Sequence, residues 1–143
     1  MCPAIGRNGV RLHSGMLSGF KSEYLSGLRR NLHLYKAHGG RSQVDAAVEG
    51  TTLDVSCSRS ESTLYVHVVN TDLDRATKAS ISIAGVQPSG AYAHEIAPGD
   101  LSAAIDTTTP HIFRVTKHHV SVSSGVIDWS FPKASVTALE IKL

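Results

Sequence analysis

Alternation of apolar and polar residues at every second position sets the tightest limit on what this chain can become. Its clearest stretch is Thr63-Leu64-Tyr65-Val66-His67-Val68-Val69-Asn70. Leu64, Val66 and Val68 fall on one side of an extended chain, and Tyr65, His67 and Val69 on the other. Successive side chains of a strand point to opposite faces, so this pattern reads as a strand rather than a helix. The next residues, 71–76 (TDLDRA), read as a turn, because Asp side chains bond their own backbone there. Ala79, Ile81 and Ile83 then alternate with Ser80 and Ser82 until Gly85. Further strands are expected over 43–49, 51–58, 91–96, 111–117, 118–123, 126–131 and 135–143. Pro88, Pro98, Pro110 and Pro132 all fall at or between these segments, as residues without an N–H must. No interval past residue 40 is long enough for a crossover helix, which excludes a parallel βαβ arrangement. The expected fold class is all-β: an antiparallel sandwich over residues 41–143, preceded by one helix.

Before residue 40 the period changes. Leu25, Leu28, Leu32 and Tyr35 recur at steps of three and four, the spacing of one helix face. Ser22 reads as its N-cap, with Glu23 in the first turn and Gly39 as C-cap, giving a helix over 22–38. Its apolar stripe has no second helix to face, so it must be buried elsewhere or docked poorly. Residues 1–20 carry no sustained period beyond the brief alternation Val10-Arg11-Leu12-His13. Residues 1–40 therefore form a poorly patterned N-terminal segment and helix, distinct from the sandwich of 41–143.

The 143 residues, 41% apolar and 18% charged, suffice for one domain with its own core. Neither a metal nor a disulfide framework is required to fold such a chain. Cys2 and Cys57 share no ligand spacing, and Cys57 reads as a small packed residue. The first 20 residues lack the apolar stretch of a secretory signal, so a cytoplasmic location is expected. No run approaches a membrane span, and no membrane partner is expected. Residues 1–43 hold seven basic side chains and one acid, whereas 44–143 hold seven basic and eleven acidic. The basic charges are scattered among Gly and Ser, which favours a solvated face over a nucleic-acid partner.

Candidate chemistry is sparse. His13, His33, His38, His67, His94, His111, His118 and His119 are abundant but ill-spaced for a metal. His118 and His119 would face opposite ways on a strand, and His33 and His38 miss the i,i+4 helical pair. Scattered surface histidines are the expectation, with no metal site and no cofactor assigned. No G-x-S-x-G marks a nucleophilic serine. Glu23, Glu49, Glu61, Glu95 and Glu140 offer no distinguished pair for glycoside hydrolysis, and Glu140 reads as a solvated strand residue. No catalytic residue is assigned. The candidate sugar contacts are Tyr65, Tyr92 and Trp129, although Trp129 alternates with Ile127 and Phe131 and so reads as core.

Three stretches carry a family signal. Leu34-Tyr35-Lys36-Ala37-His38-Gly39-Gly40 resembles the segment that ends the last barrel helix of α-L-arabinofuranosidases of glycoside hydrolase family 51. Leu64 to Asp74, with Val68-Val69-Asn70-Thr71-Asp72-Leu73-Asp74 at its end, resembles that family's strand and turn. Phe131-Pro132-Lys133-Ala134-Ser135-Val136-Thr137-Ala138-Leu139-Glu140-Ile141 is similar to its terminal proline corner and last strand. Asp106 to Val115 stands where the family has a further motif, without the expected Asn. The resemblance covers residues 32–143 and implies the C-terminal β-sandwich, or jelly-roll-like, domain of such an enzyme. It implies a catalytic (β/α)8 barrel as partner, in cis or in trans, which carries the two catalytic glutamates, so no activity is expected of this chain alone. It also implies arabinose-containing polysaccharide as the substrate class and a role in supporting a homo-oligomer. A free-standing carbohydrate-binding module is the alternative.

Overall fold

A computed structural model describes residues 32–99 and 113–143. Among these residues the alternating segments become nine strands: β1 Ser42–Val44, β2 Asp54–Ser60, β3 Thr63–Asn70, β4 Thr77–Ser82, β5 Gly90–Ile96, β6 Thr116–Val120, β7 Val122–Ser123, β8 Val126–Phe131 and β9 Ser135–Lys142. They form two antiparallel sheets. The large one has the order β1-β2-β3-β9-β5-β6, and the small one β4-β8-β7. This is the expected all-β sandwich.

The inner face of the large sheet follows directly from the period of two. Leu64, Val66 and Val68 of β3 sit beside Leu139 and Ile141 of β9, then Ala91 and Ala93 of β5, all buried. Ile127 and Phe131 of β8 close on them from the small sheet. Burying each of the larger side chains contributes about 1.5–3 kcal/mol. Three strands do not cover six. An apolar cleft of about 780 Å³ stays open between the sheets, lined by Leu53, Val55, Cys57, Val66, Ile81 and Ile83.

Three segments differ from expectation. Of 111–117, residues 111 and 112 lie outside the described residues, 113–115 are not strand, and only 116 and 117 pair, as the start of β6. The segment 43–49 pairs only as β1, and the chain then leaves the sheet as a loop that turns at Gly50, whose φ is +66°. The segment 118–123 is not one strand. It divides at Ser121 between β6 of the large sheet and β7 of the small one. A strand that bends across from sheet to sheet keeps its alternation, so the pattern alone hides the corner. The β7–β8 hairpin turns on Ser124 and Gly125, both at positive φ, the primed geometry that suits twisted strands.

The two later motif stretches meet at one corner. Asn70, 2% exposed, ends β3. Its Nδ2 donates to the carbonyls of Arg75 at 3.1 Å, Phe131 at 3.1 Å and Pro132 at 2.9 Å, sharing two hydrogens among three acceptors. Its Oδ1 accepts from the Asp72 N–H at 3.1 Å. Ser135 Oγ donates to the Pro132 carbonyl at 2.6 Å, and the Ala134 N–H to the Asp72 carbonyl at 2.8 Å. Every polar atom of the Asn70 side chain is used, as a buried amide requires.

Residues 32–37 are helical, and the expected portion before them lies outside the described residues. The expected stripe is corrected. Leu32 is 60% exposed, while Leu34 is 3% exposed and packs with Ile96, Ala138, Val136, Phe113 and Val115 on the outer face of the large sheet. The segment is docked, not loose, because the sheet supplies the apolar patch that no second helix provides. Gly39 is not a left-handed cap, but Gly40 is needed: a Cβ there would meet the Arg59 backbone at 2.4–2.6 Å.

Candidate functional site

Strand register sets a polar patch on the outer face of the large sheet. Tyr65 of β3 pairs with Glu140 of β9, which pairs with Tyr92 of β5, which pairs with His119 of β6. One rung along, His67, Ala138, His94 and Lys117 align in the same way. Four strands thus present Tyr, His, Glu and Lys on a face that, by alternation, cannot reach the aliphatic core.

The helical segment covers part of this patch. Tyr35 stacks on His67, ring centroids 4.4 Å apart and 17° from parallel. His38 lies 4.0 Å from His94 by ring centroids and meets Tyr65 edge-on at 6.2 Å. The His38 ring nitrogen Nδ1 is 2.9 Å from the Leu34 carbonyl. A carbonyl can only accept, so Nδ1 carries the proton. Glu140 receives Lys142 Nζ on Oε1 at 2.7 Å, and its Oε2 lies 3.6 Å from His94 Nε2. Lys142 Nζ also donates to Thr63 Oγ1 at 3.2 Å.

This setting biases the charges. Burial, then the neighbouring His38, holds His67 below the ordinary imidazole value. Burial, His38 and Lys117 do the same to His94, against a smaller pull from Glu140. The hydrogen bond from Lys142 holds the Glu140 carboxyl down, opposed by its partial burial. On the inner face near the edge of the sheet lies a separate carboxylate, Glu95, 8% exposed. Burial raises it, against the opposing influence of His118 and the Trp129 indole.

The candidate sugar contacts separate. Tyr65 and Tyr92 share the outer face, half-buried, on either side of Glu140. Lys117 Nζ stands 4.2 Å over the Tyr92 ring, and His119 meets it edge-on at 5.4 Å. Trp129 lies on β8, half-buried against the core, with His118 at 5.7 Å. The solvent side of its sheet presents Lys78, Ser80, Asp128 and Ser130 instead.

The expectation of scattered surface histidines is corrected for three of them. His38 and His67 are buried and His94 is half-buried, whereas His33, His118 and His119 are exposed; His13 and His111 lie outside the described residues. Glu140 is likewise no solvated residue, with its side chain 22% exposed. The cluster of His38, His94 and Glu140 comes from three elements distant in sequence, so no ligand spacing could announce it. The readable signal was weaker: His67 and Glu140 each occupy the second face of a strand whose first face carries core residues, Leu64, Val66 and Val68 on β3 and Leu139 and Ile141 on β9.

No protein-family model matches the chain, and no curated protein sequence does. Solved structures do share its fold. A family 51 α-L-arabinofuranosidase of Thermotoga petrophila RKU-1 superposes with a TM-score of 0.71 at 20% identity, over 79% of this chain and 28% of that one. The α-L-arabinofuranosidase of Thermotoga maritima, solved with arabinose, gives 0.65 at 22%, over 75% and 27%. A family 44 xyloglucanase of Paenibacillus polymyxa gives 0.66 at 14%, over 89% and 24%. The resemblance read from the three motifs is thus met by a shared fold. The chain spans only about a quarter of the length of these structures.

Proposed function

We propose that this chain is the accessory β-sandwich domain of an α-L-arabinofuranosidase acting on terminal α-L-arabinofuranosyl residues of arabinan or arabinoxylan. Its partner is a catalytic barrel, in cis through the segment ending at Gly40, or in trans if encoded separately. The observation that carries this reading is the docking of that segment. Residues resembling the end of a barrel helix lie with Leu34 buried on a sandwich whose fold recurs as 28% of a family 51 enzyme. In this reading hydrolysis belongs to two carboxylates of the barrel, and the sandwich supports the barrel's stability and assembly.

The test is direct. The purified chain incubated with an aryl α-L-arabinofuranoside releases no arabinose. Saturable turnover that follows the protein through repurification contradicts the reading. Genomic sequence on the 5′ side that encodes a barrel in frame supports the cis arrangement.

A second reading is a carbohydrate-binding module for arabinose-containing polysaccharide. Tyr65 and Tyr92 favour it, since they flank Glu140 on one face. Retardation on an arabinoxylan affinity gel, lost in Tyr92→Ala, distinguishes it from a purely structural domain.

A further inference from the structure

Three donor side chains meet on the outer face, each fixed by a different element. His38 follows the helical segment, His94 lies on β5 and Glu140 on β9. One ligand atom from each lies within 4.8 Å of the other two. The β5–β9 register pairs Tyr92 with Glu140 and His94 with Ala138, so His94 and Glu140 are diagonal neighbours on one face. Leu34, seated against Ile96 and Ala138, brings in the third ligand one helical turn later.

The atoms are prepared for a cation. With its Nδ1–H donated to the Leu34 carbonyl, neutral His38 has its lone pair on Nε2. A ligating histidine is held in this way, its far N–H tied to a carbonyl or carboxylate. Nε2 of His94 is buried and has no hydrogen-bond partner among the described residues. Glu140 is tethered through Oε1 to Lys142, and its Oε2 lies toward His94.

We propose that His38, His94 and Glu140 bind one divalent ion of the zinc class. Two imidazoles and one carboxylate suit Zn²⁺ or Co²⁺, whereas Ca²⁺ and Mg²⁺ take oxygen ligands. Zinc bonds of about 2.0–2.2 Å place tetrahedral donors roughly 3.3–3.5 Å apart. The gap of 3.6 Å between His94 and Glu140 is near that already, and side-chain rotation closes the rest. Water takes the fourth position. The ion joins the segment before Gly40 to two central strands, so its role is to clamp that segment to the sandwich. This holds whether or not a barrel precedes the segment.

The test uses the whole chain without an affinity tag, stripped with chelator and titrated with Zn²⁺ by calorimetry. One ion per chain binds and raises the melting temperature, and Co²⁺ gives the visible bands of a tetrahedral site. His94→Gln and Glu140→Gln each weaken Zn²⁺ binding at least roughly 10–100-fold. Their metal-free melting curves and far-ultraviolet spectra show that they fold. The double variant His118→Ala/His119→Ala, which removes exposed imidazoles, binds as the parent does. Failure to bind Zn²⁺, unchanged binding in His94→Gln, or loss of binding in the His118/His119 variant overturns the proposal.

Discussion

The two faces of the large sheet are made by the same strands and do opposite things. On β3, Leu64, Val66 and Val68 face inward and Tyr65 and His67 outward. On β9, Leu139 and Ile141 face inward and Glu140 and Lys142 outward. The aliphatic centre of the inner face makes non-directional contacts, and hydrogen bonds enter at its Asn70 end. The outer face makes directional ones: a stacked ring pair, a tethered carboxylate, an imidazole held by a carbonyl. The outer face fits one particular covering segment, with Leu34, Tyr35 and His38 in fixed places.

Breaking the inner face has the largest effect. Leu139 is fully buried at the centre of the sheet, and Leu139→Ala should cost about 2–5 kcal/mol in urea unfolding. A loss below about 1 kcal/mol would mean that the open cleft lets the core collapse around the gap. Asn70, at the polar end of the same face, comes next. Asn70→Ala removes the amide that donates to the carbonyls of Arg75, Phe131 and Pro132, of which Pro132 keeps Ser135 Oγ, and should cost about 1–3 kcal/mol. Asn70→Asp tests the direction of those bonds, since a carboxylate cannot donate to a carbonyl, and should be no better.

The outer face should show itself in pH dependence. His67 is held below its unfolded value, about 6.5, by burial and by His38, with Tyr35 stacked on its ring. As pH falls below that value the unfolded chain takes up the proton first, so His67 lowers stability on the acid side and leaves it unaffected above. The urea midpoint of the parent should drop between pH 7.5 and pH 5.5, and less steeply in His67→Gln. Equal slopes would place the burden on other groups.

How much of this was legible follows the same division. The inner face was readable, because Leu64-x-Val66-x-Val68 and Ile127-x-Trp129-x-Phe131 need only the period of two. The Asn70–Pro132 corner was visible as two motifs, but not as one contact, since 61 residues separate Asn70 from Phe131. The crossing at Ser121 was invisible, because a bend between sheets leaves alternation intact. The docking of residues 32–38 was misread in register. Helical periodicity picked Leu32 and Tyr35, whereas the seat beside Ile96 and Ala138 takes Leu34. The cluster of His38, His94 and Glu140 was hidden for a related reason: each residue looks ordinary on its own element, and only strand register brings the three together.

The segment before Gly40 is built into the outer face of the sandwich, and equilibrium urea unfolding of Leu34→Ala against the parent measures how firmly. If Leu34 anchors the segment, the variant loses about 2–5 kcal/mol, as a buried leucine in the core does. A change within about 0.5 kcal/mol, the size seen at exposed positions, would contradict the account and make the segment a loose appendage of the sheet.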